Sequence, residues 1–248
     1  MRGAPNEGRL VRYHGRVACS DLKAFERISM TALPANIKAV LFDLDGTLLD
    51  THDLILRSFR HSTQKVLGRN ISDDELMKKV GQPLEAQRWD FTDDPEVHDL
   101  LLTTYRDYNH EVHDAAVRAY DGVGEVLAAL RERGLRTAVV TSKRHALAQR
   151  GIDVCGLSDF VEFVVGPDDF PAHKPDSGPV RYGCELMGLV PEECVYVGDS
   201  PYDIQAGNGA GCTTVACTWG MFAPELLAEQ NPAFTIDRPE DLLGLLPQ

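Results

Sequence analysis

From Ala39 to Phe42 the chain is apolar without alternation and then breaks into Asp43-Leu44-Asp45-Gly46-Thr47. An unalternating run of this kind predicts a strand buried on both faces of a parallel sheet. The period then changes. Between Thr51 and Val117, Leu54, Ile55, Ser58 and Phe59 share one helical face and Val66 and Leu67 continue it, until Gly68-Arg69-Asn70 interrupts. Ser72 followed by Glu75 has capping-box spacing and predicts a second helix, ended by Gly81-Gln82-Pro83. Pro95 opens a further helix carrying Val97, Leu100, Leu101 and Tyr105. With little strand signal across the stretch, it reads as a small helical bundle inserted into a different fold.

After Gly122 the two periods alternate. An amphipathic helix (Val123, Val126, Leu127, Leu130) closes at Gly134, and Thr137–Thr141 is a buried strand followed by a helix over 144–150. Phe160–Val165 is a further strand, Val180–Met187 a helix, and Cys194–Val197 a strand leading into Gly198-Asp199. Residues 204–208 are helical, and Thr213–Cys217 and Phe234–Ile236 are the last strands. Strands alternating with helices predict an α/β fold: a Rossmann-like parallel sheet with helices on both faces and an inserted α-helical cap. The expected division is an extension over 1–36, a catalytic core over 37–51 and 119–248, and the cap over 52–118. Ligands are expected at the carboxyl ends of the strands.

Two carboxylates one residue apart, Asp43 and Asp45, lie on the same side of an extended chain. At the end of a buried strand that arrangement is electrostatically costly, and a cation is the usual remedy. The 248 residues carry a formal net charge of −13, which argues against a general nucleic-acid or membrane-surface binder but not against a phosphate substrate held by local cations. The six cysteines are scattered with no CxxC pair and read as small core residues in a reducing cytoplasm. The segment 1–36 is locally basic, with Arg2, Arg9, Arg12, Arg16, Lys23 and Arg27 outnumbering Glu7, Asp21 and Glu26. It reads either as a flexible basic arm or as sequence upstream of a start at Met30.

Four separated pieces stand at predicted strand ends or in the loops between: Asp43–Thr47, Val139–Lys143, His173–Asp176 and Val197–Asp203. In this order, with a helical insertion between the first two, they resemble the haloacid dehalogenase-like phosphohydrolases, over about Lys38 to the C-terminus. The resemblance implies that Asp43 is a nucleophile forming an aspartyl-phosphate and that Asp45 is the general acid and base. It implies Mg²⁺ held by Asp43, the backbone carbonyl of Asp45 and Asp199, with Asp203 bracing the site from behind. Gly46, Thr47, Thr141 and the Ser142 amide would surround the phosphoryl group, and Lys174 would offset its charge. Taken alone, Asp43 is an ordinary turn or cap residue, Lys174 a loop lysine and Asp203 a helix N-terminal charge. Lys143 and Arg144 read as cations at a helix start.

The cap position resembles that of phosphoglycolate phosphatases, sugar-phosphate phosphatases and bacterial pyrophosphatases. Within it Gly81-Gln82-Pro83-Leu84 is similar to a loop facing the active site. The run from Asn109-His110 to His113-Asp114 is similar to the pyrophosphatase branch, where His110 and His113 would hold a second phosphate or, alternatively, be polar helix residues. His52, His61 and His98 have weaker claims. An acid at position 45 argues against the dehalogenase and phosphonatase branches. Ser177-Gly178 departs from the family pattern after Lys174-Pro175-Asp176 and is expected to loosen the next helix start. The implied function is a cytoplasmic Mg²⁺-dependent phosphatase, monomeric or homodimeric. Its substrate would be a 2-phosphoglycolate-like phosphomonoester or inorganic pyrophosphate. A sugar-phosphate mutase, and an inactive binding or regulatory module, are the alternatives.

Overall fold

Strand β1 (Ala39–Phe42) is buried at every residue, as its unbroken apolar run requires. In the computed structural model, which describes residues 32–247, it pairs in parallel on both sides, with β4 (Arg136–Val140) and β6 (Cys194–Gly198). With β5 (Val164–Val165), β7 (Thr213–Cys217) and β8 (Phe234–Ile236) it forms a six-stranded sheet in the order β5-β4-β1-β6-β7-β8. The strand order reverses at β1, so the crevice between β1 and β6 is the switch point where ligands collect in such sheets. Both expectations, a parallel sheet and helices on its two faces, hold. The alternative origins of the 1–36 segment fall almost wholly outside the described residues.

Alternate β1 residues feed two cores, as a period of two dictates. Val40 and Phe42 pack with Leu127 and Leu130 of α5 (Val123–Glu132) and with Ala148 and Ile152 of α6 (His145–Val154). Ala39 and Leu41 face Val180 and Cys184 of α7 (Gly178–Leu186) and Ala206 and Ala210 of α8 (Pro201–Ala210).

The stretch between β1 and β4 is helical. Helix α1 (His52–Leu67) ends on Gly68 at φ 64°, and α4 (Pro95–Ala116) starts on an Asp94 side chain that accepts from the Glu96 and Val97 amides. The short helices α2 (Asp73–Met77) and α3 (Leu84–Gln87) lie between them. Ile55, Phe59, Leu76, Leu101 and Tyr105 form a cluster of their own, with the Phe59 and Tyr105 rings 4.8 Å apart, edge to face. Met221 and Phe222, from the loop after β7, pack against it. Both ends of the helical stretch are tied by an unexpected two-stranded ribbon, β2 (Leu49–Asp50) with β3 (Arg118–Ala119). Two-residue strands carry too little pattern to be read from sequence.

Two expectations change. The strand foreseen over Phe160–Val165 is regular only at Val164–Val165: the Phe160 amide turns back onto the Leu157 carbonyl, while Glu162 and Phe163 still bond to the Thr137 carbonyl and the Val139 amide. The helix after Lys174 is not loosened: α7 begins at Gly178, whose amide donates to Asp176 Oδ1 at 2.7 Å, and Pro179 sits in the first turn, where proline suits a helix. A Cβ at Gly178 would come within 2.6 Å of the Phe170 ring, so the glycine permits close packing there.

Candidate active site

The sheet order brings the candidate residues together. Asp43 follows β1, Thr141 follows β4 and Asp199 follows β6, and these three strands are neighbours with Phe42 in register with Val139 and Val197. The Asp43 amide donates to the Val197 carbonyl at 2.9 Å and the Thr141 amide to the Val165 carbonyl at 2.9 Å, so ladder bonds fix both positions.

Behind Asp43 lies Lys174, 3 % exposed, beside a cis Lys174–Pro175 peptide. Its ammonium donates to Asp43 Oδ1 at 2.7 Å and to Asp203 Oδ1 at 2.6 Å. Asp203 is a capping residue as well: its Oδ2 accepts from the Ser200 amide at 3.0 Å and the Ser200 hydroxyl at 2.5 Å, a reciprocal capping box that starts α8. The Tyr196 hydroxyl completes the group, 2.8 Å from the Val140 carbonyl and 3.2 Å from both Asp203 Oδ1 and Lys174 Nζ. Sequence reasoning passed over Tyr196. A lone tyrosine in the otherwise aliphatic Cys194–Val197 strand was the available signal, since a buried hydroxyl needs a partner.

Asp199 is held from the other side. Thr47 Oγ1 donates to its Oδ1 at 3.2 Å and the Met221 amide to its Oδ2 at 2.7 Å. Gly46, at φ 87°, packs so closely that a Cβ there would lie 2.2 Å from Asp199 Oδ2. Gly46 and Thr47, expected around the phosphoryl group, therefore sit against Asp199, and neither lines the cavity described below.

Oxygen atoms of Asp43, Asp199 and Asp203 lie within 4.8 Å of one another, all buried. One ammonium faces three carboxylates, so the cluster is short of positive charge. Burial, opposed by Lys174 and reinforced by Asp203, pushes Asp43 up to about 7. Burial, then Asp203 and Asp43, raises Asp199 well above the usual carboxylate range. A divalent cation fits this donor set, because oxygen-rich sites with surplus negative charge are what hard cations bind. Asp203 already takes Lys174 and two Ser200 donors, leaving little acceptor capacity. Asp43 Oδ2 has no hydrogen-bond partner among the described residues, so the free capacity lies on Asp43 and Asp199.

These residues border a cavity of about 430 Å³ between the sheet and the helices, lined by Asp43, Asp45, Thr141, Ser142 and Asp199, and by Gly81 and His110 opposite. Ser142 Oγ donates to the Gly81 carbonyl at 2.6 Å. Lys143, read as a helix-start cation, donates to Asp45 Oδ1 at 2.8 Å. Arg144 lines the cavity as well. The two histidines of α4 separate. His110 lines the cavity and lies 2.8 Å from Arg150 Nη1 through Nδ1. His113 is fully buried away from it, with Nδ1 2.8 Å from Asp114 Oδ1 and burial holding it below its ordinary value. His52, His61 and His98 do not line the cavity.

No helix among the described residues is long and apolar enough to cross a membrane. Residues 40–217 match the family described as "Haloacid dehalogenase-like hydrolase". The chain is 42 % identical over 210 residues to the "Putative pyrophosphatase PpaX" of Caldanaerobacter subterraneus subsp. tengcongensis, covering 85 % of this chain and 94 % of that protein. It is 35 % identical over 211 residues to the "Pyrophosphatase PpaX" of Anoxybacillus flavithermus, covering 85 % and 97 %. Among solved structures it resembles a "predicted phosphoglycolate phosphatase" from Haemophilus somnus 129PT, with a TM-score of 0.80 at 27 % identity, covering 85 % of this chain and 98 % of that one. The chain belongs to the haloacid dehalogenase-like hydrolase family.

Proposed function

We propose that the protein is a Mg²⁺-dependent phosphohydrolase that works through an aspartyl-phosphate on Asp43. The observation that carries this is the buried Asp43 bordering the cavity, with Lys174 on one oxygen and no hydrogen-bond partner on the other among the described residues. Asp43 attacks phosphorus and the bond to the leaving oxygen breaks; Asp45 gives that oxygen a proton. Water then attacks the phosphoryl group, Asp45 takes the water's proton, and Asp43 is released with inorganic phosphate. Asp43, the Asp45 backbone carbonyl and Asp199 would hold Mg²⁺, which when bound supplies neutralising charge for the phosphoryl oxygens.

The chain's own residues do the positioning. Lys174 orients the Asp43 carboxylate, Asp203 and Tyr196 orient Lys174, and Thr47 and the Met221 amide fix Asp199. Thr141 and the Ser142 amide border the cavity where phosphoryl oxygens would lie, while the Ser142 hydroxyl is engaged with Gly81. Residues 52–118 act as a cap over the core at 37–51 and 119–248, closing out water during the reaction. The candidate substrates are inorganic pyrophosphate, the compound in the relatives' printed names, and a 2-phosphoglycolate-like phosphomonoester. Of the cap histidines, His110 is assigned to the substrate side and His113 to structure.

The test is phosphate release from pyrophosphate, 2-phosphoglycolate and a set of sugar phosphates, each with and without Mg²⁺. Mg²⁺-dependent release that Asp43→Asn abolishes supports the proposal. An isomerised sugar phosphate without net release would make the protein a mutase, and no turnover of any compound would leave a binding module.

A further inference from the structure

The cavity is larger than two linked phosphates require. Its volume, about 430 Å³, falls in the roughly 300–1,000 Å³ range of pockets that enclose organic ligands. Asp43, Asp45 and Asp199 border one part of it. Another part is an apolar wall made by Ile55 and Phe59 of α1, Leu84, Tyr105 of α4, and Met221 and Phe222 of the loop after β7.

Charge decides what can rest on that wall. The lining carries five carboxylates (Asp43, Asp45, Glu85, Asp107, Asp199) against three cations (Arg106, Lys143, Arg144). Two of those cations are already engaged, Arg106 by Glu85 and Lys143 by Asp45. Arg150, which reaches His110, is paired with Asp114. Arg144 is the lining cation with no carboxylate partner among the described residues. With Asp43 and Asp199 set aside as the carboxylates that would hold Mg²⁺ and Asp45 paired with Lys143, the lining leaves Glu85 and Asp107 against Arg106 and Arg144, so a second phosphate on the wall meets no surplus of positive charge. A neutral apolar group needs no such surplus and gains by leaving water.

We infer that the cavity accepts phosphomonoesters with an apolar body of several carbons, the phosphate lying at Asp43 and the body along the wall of Phe59, Leu84, Tyr105 and Phe222. This rests on the phosphohydrolase reading and adds a substrate class to it. Hydrolysis breaks the phosphorus–alkoxide oxygen bond; the alcohol leaves with the proton from Asp45, and water supplies the oxygen of the released phosphate. Pyrophosphate would use the carboxylate-bordered end alone, whereas an organic ester uses that end and the wall.

The experiment is kcat/KM for ethyl, butyl and hexyl phosphate, with pyrophosphate alongside, on the full chain with saturating Mg²⁺. Leaving-group acidity hardly changes along this alkyl series, so the trend reports contact with the wall. Each buried methylene contributes up to about fourfold, so hexyl phosphate should exceed ethyl phosphate by at least tenfold. Leu84→Ala and Phe222→Ala should each lower the hexyl-to-ethyl ratio. Ethyl and hexyl phosphate turned over within twofold of each other by the wild type would overturn the inference while leaving the phosphohydrolase reading intact. No release from any compound, pyrophosphate included, would overturn both. The wild-type series decides even if a variant fails to fold.

Discussion

Lys143 Nζ lies 2.8 Å from Asp45 Oδ1 and joins the loop after β4 to the loop after β1. The two side chains are 8 % and 20 % exposed, so the pair is less screened than a surface ion pair. Asp45 is the proposed proton donor, and its carboxyl must be aimed at the leaving oxygen. A charge-assisted hydrogen bond is worth roughly 1.5–3 kcal/mol. Lys143→Met should therefore lower kcat/KM by about 10- to 100-fold, with Lys143→Arg recovering part of the loss. Steady-state kinetics on any accepted substrate checks this, and an unchanged value for the methionine variant removes Lys143 from the working site.

The surplus negative charge around Asp43 has a pH signature. Its folded value of about 7 stands above the ordinary 3.8, so between those limits the folded state binds more protons than the unfolded one. The Asp43 contribution to stability is therefore unfavourable once both states are ionised, and it grows as pH rises from about 4 to about 7. His113, held below its ordinary value by burial, has the opposite sign, gaining stability as pH rises toward 6.5. The informative quantity is thus the difference between wild type and Asp43→Asn in chelator. The variant should gain stability relative to wild type on going from about pH 5 to about pH 7.5, and saturating Mg²⁺ should offset the wild-type penalty. Thermal melting at the two pH values measures it. A parallel pH response in the two proteins would contradict a raised Asp43.

Much of the candidate site was legible in the chain because its residues sit where pattern is strongest. Asp43, Thr141 and Asp199 each end an unbroken apolar strand, and Lys174 lies in a loop between strand and helix. The resemblance implies that Asp203 braces the site, but the atoms it touches, and any part for Tyr196, show only in three dimensions. Asp203 reads as a helix-cap acid by position, yet its second oxygen reaches Lys174. Tyr196 is one residue in an aliphatic strand, and its hydroxyl acts on a lysine 22 positions earlier. The histidines show the limit of sequence spacing on a helix: His113 lies three positions after His110, but the cavity meets His110 while His113 is buried against Gly151 of α6.

The Lys174–Asp203 contact predicts a cost to the fold as well as to catalysis. Asp203→Ala leaves Lys174 its bond to Asp43, so no buried charge is stranded, but one charge-assisted hydrogen bond is lost, at about 1.5–3 kcal/mol. Asp203→Ala also removes the acceptor for the Ser200 amide and hydroxyl. Tyr196→Phe keeps the ring and deletes one hydroxyl, for which about 1–3 kcal/mol is expected. Urea unfolding of the two variants should therefore rank Asp203→Ala as the more damaging. A larger loss in Tyr196→Phe would mean that the hydroxyl, and not the ion pair, organises the cluster.

Gly46 supplies the sharpest separation of fold from function. Its φ of 87° lies in the left-handed region, and a Cβ there would sit 2.2 Å from Asp199 Oδ2 and 2.6 Å from its Cγ. The strain of a side chain at this φ costs roughly 1–2 kcal/mol, which a domain of this size survives. Displacement of the Asp199 carboxylate is the larger consequence, because Asp199 is a proposed Mg²⁺ ligand held, among the described residues, by the Thr47 hydroxyl and the Met221 amide. Gly46→Ala should therefore remain folded in chelator, melt only a few degrees lower, lose at least 100-fold in kcat/KM, and lose most of the Mg²⁺-induced rise in melting temperature. The last readout is independent of turnover. A variant that kept the full Mg²⁺ stabilisation while losing activity would place the damage on substrate positioning, and would remove Asp199 from the set of metal ligands.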